Sequence, residues 1–211
     1  MDKIRIRQMI RIESAAIPFT TPRVAFQAVQ ALGRADAMGL LPIEERIEIL
    51  DLPSFRKAVR HIHRAGIARN FRLDLTGLPD SDLQRALERL NLALEESPAP
   101  EFEWQRMGDA LGLELLSRLL GVSAVSVRRY RANGRVTPDD VAERLHFLTL
   151  IVGDLAGAYN EFGIRQWFAR KRAQLDGRAP MDLLKGRWKP AEPGPVQVQQ
   201  LARALVTSPA A

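Results

Sequence analysis

The sequence predicts a mainly α fold. Three observations carry that expectation. Leucine, valine and alanine recur at helical spacing through most of the 211 residues. Prolines fall where helices begin rather than within them, as at Pro22, Pro42, Pro53 and Pro138. Only two short stretches alternate apolar and polar residues with period 2, so a small β pair is the most strand the chain can offer.

Residues 3–12 form the first alternating stretch. Ile4, Ile6, Ile10 and Ile12 fall on one side, with Arg5, Arg7 and Arg11 opposite. Phe71-Arg72-Leu73-Asp74-Leu75 alternates likewise and ends at Thr76-Gly77. A lone strand is unstable, so the two are expected to pair, within the chain or across a dimer. Between them Thr21-Pro22 opens a helix carrying Val24, Ala25, Ala28, Val29 and Leu32. Pro42 opens a second, with Ile43, Ile47 and Leu50 on one face; Glu44, Glu45 and Glu48 form its solvated side. Pro53-Ser54 precedes a third, with Phe55, Val59 and Ile62, and Gly66 stops it. Asp80 or Ser81 caps a fourth, with Leu83, Leu87, Leu90 and Leu94. Ser97-Pro98-Ala99-Pro100 then reads as a linker.

Everything after residue 100 reads as helix: 102–111, 113–120, 123–132, 138–159, 164–172 and 196–205. The expected domains are 1–100, a helical assembly region with the β pair; 101–160; and 161–211.

Composition excludes several classes of function. There is no Cys, which removes disulfides, Cys-ligated zinc, iron–sulfur clusters and thiol catalysis. No run of 18 apolar residues occurs, and Met1-Asp2-Lys3-Ile4-Arg5 lacks the apolar core of a secretion signal, so a cytoplasmic protein is expected, with no membrane partner. His61 and His63 point apart on a helix and lie beside Arg60 and Arg64, and His146 sits in an apolar run as a core residue. No phosphate-cradling glycine loop or nucleophile elbow is present. The sequence therefore predicts no enzyme, no cofactor and no metal.

The formal net charge is +6, and it is unevenly placed. Residues 1–100 are near balance and 101–162 are slightly acidic, whereas 163–211 hold nine basic and three acidic side chains. Within the acidic middle, Leu113–Arg135 holds five Arg against one Glu. Such a cluster is either a solvated helix face or a surface for an anionic partner.

The local pattern favours the second. In residues 113–132, Ser117 is small at the crossing of two short helices and Gly121 supplies the backbone freedom of the turn. Val122 and Val127 plug the angle, Tyr130 packs behind, and Ser123 caps the second helix. This is the helix-turn-helix pattern, whose second helix enters the DNA major groove. Ala124, Val125, Arg128 and Arg129 fall at groove-facing positions, where Arg can hold guanine O6 and N7. Ser123, Ser126, Arg131 and Arg135 are placed for phosphates. One such helix reads few base pairs, so double-stranded operator DNA and at least a homodimer are the expected partners.

Residues 163–186 contain Trp167-Phe168, Leu175, Gly177-Arg178, Pro180 and Asp182-Leu183-Leu184. This segment resembles the C-terminal domain of Xre/MbcA/ParS-type antitoxins, which follows a helix-turn-helix part and a long helix in the same order. The likeness covers residues 101–211. It departs in having Lys171-Arg172 where many relatives carry Pro-Asn, and in adding residues 1–100. The resemblance implies a toxin-antitoxin system: a repressor of its own operon that also binds and blocks a cognate RES-domain, NAD-consuming toxin. It implies toxin contact through Trp167, Phe168, Leu175, Arg178, Pro180, Leu183, Leu184, Arg187, Trp188 and Lys189. Trp167 and Phe168 suit core packing equally well, whereas Trp188 beside Pro190 suits a partner contact. Two other functions stay open. One is a stand-alone helix-turn-helix transcription regulator whose first 100 residues sense a ligand or dimerise; the other is an interaction scaffold.

Overall fold

The structure, a computed structural model, describes residues 12–42, 47–156 and 158–207. It is mainly helical, with ten α-helices and one two-stranded parallel sheet among those residues. The residues group into two compact units. The first comprises the described parts of Met1–Asp36 and Leu40–Leu94; the second comprises Ala37–Gly39 and the described part of Glu95–Ala211.

The first unit is built from α1 (Pro22–Ala37), α2 (Leu52–Arg64) and α3 (Asp80–Glu95), with β1 (Ser14–Ala15) beside β2 (Ile49–Leu50). Each helix starts for a legible reason. Pro22 stands at the head of α1, where its missing N–H costs nothing. Asp51 caps α2 by accepting from the Ser54 N–H at 2.8 Å, and that bond holds its carboxyl below the usual carboxylate range. Gly66, at φ +87°, ends the turn after α2. The buried stripes are the expected ones: Val24, Ala28 and Leu32; Phe55, Val59 and Ile62; Leu83, Leu87, Leu90 and Leu94. Asn91 ties α3 to α1 inside this core, donating to the Gln27 carbonyl at 2.9 Å and accepting from Arg34 at 3.3 Å.

Two expectations fail in this unit. Phe71–Leu75 forms no strand. Its alternation survives in burial, with Leu75 buried and Phe71 packed edge-on against Phe55, 6.4 Å between ring centres. Its backbone is satisfied differently: Arg56 donates to the Leu73 carbonyl at 2.8 Å and to the Asp74 carboxylate at 3.0 Å. A guanidinium occupies the place a neighbouring strand would take. Nor does Ile47–Leu50 continue a helix from Pro42. Ile49 and Leu50 are extended and pair in parallel with Ser14 and Ala15. Glu48 is exposed, and its carbonyl accepts from the Glu13 N–H at 2.8 Å. The expected strand at 3–12 lies outside the described residues apart from Ile12, as do Ile43, Glu44 and Glu45.

The second unit contains α4 (Pro100–Leu111), α5 (Leu113–Leu120), α6 (Ala124–Arg131), α7 (Asp139–Leu155), α8 (Glu161–Ala169), a 3₁₀ turn at Ala173–Leu175, α9 (Pro180–Leu183) and α10 (Pro193–Thr207). The long helix α7 is its axis and is buried along nearly its whole length. Helices α4 and α10 pack against α7, and α8 packs against α4. Residues 101–160 and 161–211 therefore share one core instead of forming the two domains expected from sequence. Arg165 shows how they join: it donates to the Ala110 carbonyl at 2.7 Å and the Asp109 carbonyl at 2.9 Å, closing the carboxyl end of α4. Arg106, buried on α4, reaches Glu161 at the start of α8 at 3.0 Å. His146 of α7, read from sequence as a core residue, is buried against fully buried Glu103 of α4. Burial pushes the Glu103 carboxyl above its ordinary range.

Candidate nucleic-acid interface

The site is built on α5 and α6. Helix α5 ends at Gly121, which adopts the left-handed conformation at φ +66°. Glycine is required there for a second reason. A Cβ at this position would overlap the carbonyl oxygen of Gly186 in the C-terminal segment. After the turn, Val122 donates back to the Ser117 carbonyl at 3.1 Å, and Ser123 stands extended as the cap of α6. The Ser126 N–H donates to Ser123 Oγ at 3.1 Å, and the two hydroxyls lie 3.0 Å apart.

The inner side of this corner is apolar. Leu116, Leu119, Leu120, Val127 and Tyr130 are buried. Tyr130 stacks on Trp104 of α4 with centroids 5.1 Å apart, and the Trp104 indole N–H donates to Thr137 Oγ1 at 2.8 Å. Arg144 of α7 donates to the Leu120 carbonyl at 3.1 Å, satisfying one of the free carbonyls at the end of α5. The corner is held rigidly from behind.

The outer side carries the residues expected to read DNA. Val125, Arg128 and Arg129 are exposed, Val125 at 52% of its surface, and Ala124 is half-buried. Val125 lies three and four residues before the two arginines, so all three share one face of α6. Among the described residues neither the Arg128 nor the Arg129 guanidinium has a hydrogen-bond or ion-pair partner. Ser123 is exposed and Ser126 half-buried, each engaged with the other. Arg135 is exposed, its guanidinium over the Tyr130 ring at 5.7 Å.

Arg131 departs from its expected phosphate role. It turns back onto α4, reaching Asp109 at 2.9 Å and crossing Gly108 so closely that a Cβ there would meet its guanidinium. It braces α6 against α4.

The ten residues that the antitoxin resemblance assigns to toxin contact divide sharply. Trp167, Phe168, Leu175, Pro180, Leu184 and Trp188 are buried. Trp167 packs edge-on against Phe168 and lies under the Arg172 guanidinium at 5.1 Å. Trp188 corrects the sequence expectation most clearly: it is 4% exposed, donates its indole N–H to the Leu119 carbonyl at 2.8 Å and packs edge-on against Phe147. Its few apolar neighbours in sequence are replaced by the Phe147 ring of α7. Leu183 is half-buried, while Arg178, Arg187 and Lys189 are exposed.

The contact that sequence reading missed is the seat of Gly186 on Gly121. Gly186 itself has φ +77°, so the loop reaches the turn only with glycine on both sides.

Among the described residues no helix is long and apolar enough to cross a membrane, and no cluster of three or more His, Asp or Glu could hold a metal ion. No family model, curated protein or solved structure matches the chain.

Proposed function

We propose that the chain is a DNA-binding antitoxin: a cytoplasmic, dimeric repressor that reads its own operator through α6 and blocks a RES-domain toxin. The observation that carries the DNA reading is the outer face of α6. It presents Val125, Arg128 and Arg129 to solvent on a braced corner, with both guanidinium groups uncommitted. Paired, unpartnered arginines on a rigid helix match the bidentate chemistry of guanine edges. Counterion release from the phosphates supplies the sequence-independent share of affinity. Two copies one helical turn apart would provide the second half-site.

The toxin arm rests on the resemblance of residues 163–186 and on the exposed Arg178, Arg187 and Lys189. A second reading, the stand-alone transcription regulator, is favoured by one observation: six of the ten residues assigned to toxin contact are buried in this chain's own core.

The test of the DNA reading is binding of the purified chain to the region upstream of its own reading frame, titrated with salt. Arg128→Ala and Arg129→Ala should each weaken specific binding and relax base preference. Wild-type affinity in both would overturn it. Co-purification with the product of a neighbouring reading frame separates the two regulatory readings; no complex at micromolar concentration removes the toxin arm.

A further inference from the structure

The loop Lys185-Gly186-Arg187-Trp188-Lys189 is seated at two points on the end of α5 and the turn that leads into α6. The Gly186 carbonyl rests on Gly121, and the Trp188 indole bonds to the Leu119 carbonyl. Arg187 stands between these anchors and Lys185 and Lys189 flank them, all three exposed. Among the described residues none of the three has an ion-pair or hydrogen-bonding side-chain partner. The same holds for Arg118, exposed on α5 three residues before Gly121. Four uncommitted cations thus surround the turn that leads into α6.

We propose that Lys185, Arg187 and Lys189 form a second DNA contact, gripping the phosphate backbone that borders the groove entered by α6. This rests on the DNA reading proposed above and extends it to a segment far away in sequence. The argument is one of fixation and charge. Flexible surface lysines lose side-chain entropy when they bind, but a loop bolted at Gly186 and Trp188 has already ordered its backbone. Like charges held close together repel, and a polyanion relieves that repulsion while releasing its own counterions. Lys185, Arg187 and Lys189 are exposed while Trp188 is buried, so the three cations stand outward around one buried anchor. Backbone phosphates need no particular base, so this loop would add affinity and register without altering sequence preference.

The experiment compares the full chain with the triple variant Lys185→Ala/Arg187→Ala/Lys189→Ala on a short duplex of arbitrary sequence and on the chain's own upstream region. All three side chains are exposed and unpartnered, so the variant should fold, with circular dichroism and melting temperature as the check. The expected result is a slope of log K against log salt smaller by about 2–3 on both duplexes, with base preference unchanged. Arg187→Lys should keep the wild-type slope. An unchanged slope in the triple variant, together with weakened binding in Arg128→Ala/Arg129→Ala, overturns this inference and leaves the DNA reading standing. Loss of a co-purifying protein partner with the slope unchanged overturns it too and assigns the loop to that partner. No duplex binding by the wild-type chain removes the DNA reading and this inference with it.

Discussion

His146 and Glu103 are joined by a proton that neither can lose without breaking the pair. His146 Nε2 faces the Glu95 carbonyl at 2.9 Å, and a carbonyl only accepts, so Nε2 carries hydrogen. His146 Nδ1 lies 2.5 Å from Glu103 Oε1. That contact needs one more proton, held either by the carboxyl or by the imidazole.

The pH dependence follows. Burial raises the Glu103 carboxyl in the folded chain, so folding takes up a proton that the unfolded chain, with an ordinary value of about 4.3, has released. The contribution is fully present below that value and is lost as pH rises through the folded one. Glu103→Gln keeps a donor for Nδ1 without the titration. In denaturant melts the wild type should therefore lose stability relative to Glu103→Gln as pH increases from about 4 upward. A difference that stays constant with pH would refute the shared proton.

The two glycine positions 121 and 177 separate strain from collision. Both have positive φ, but a methyl on Gly177 would meet nothing within 4 Å, whereas one on Gly121 would strike Gly186. Gly177→Ala should cost about 1 kcal/mol, the conformational share alone. Gly121→Ala should cost about 2–4 kcal/mol and lower DNA affinity as well. Thermal unfolding of the two variants side by side checks this.

Trp188 should behave as a core residue. Trp188→Ala leaves a cavity and an unpaired Leu119 carbonyl, and should destabilise the fold by about 3–5 kcal/mol. Trp188→Phe keeps the ring contact with Phe147 and loses the hydrogen bond, at a cost of about 1–2 kcal/mol. Near-wild-type stability in Trp188→Ala would return this residue to the surface.

The arginines of α6 should sort by partner. Arg128→Ala and Arg129→Ala should leave the melting temperature unchanged and weaken operator binding by about 1–3 kcal/mol. Arg131→Ala should do the reverse, costing about 0.5–1 kcal/mol of stability through the lost Asp109 pair, with a smaller effect on DNA. Fluorescence anisotropy and thermal melts on the same preparations distinguish the two patterns.

Much of this fold was legible locally. The leucine stripe of α3, the proline head of α1, the Ser123 cap and the left-handed Gly121 are all decided within a few residues of chain, and sequence shows them. What sequence could not show were pairings across long separations. Phe71–Leu75 alternates like a strand, but whether its carbonyls meet another strand or Arg56 depends on where α2 lies. Arg131 looks like its neighbours Arg128 and Arg129 until Gly108 is known to lie beneath it. Trp188 has polar neighbours along the chain, and only the fold supplies Phe147 and Leu119. In the α6 interface the outward face was readable from helical spacing, while the basic loop beside the turn was not, because Gly186 lies 65 positions along the chain from Gly121.

The closure of Gly186 over Gly121 has a practical corollary for dissecting the molecule. A fragment ending near residue 160 would contain every side chain of α5 and α6, yet it would leave the Leu119 carbonyl without its donor and bare the flank of Phe147 to water. The smallest excisable piece that keeps the reading helix in its native pose therefore runs from the start of α4 through α10, which packs against α7, and shorter subclones should be insoluble or inert.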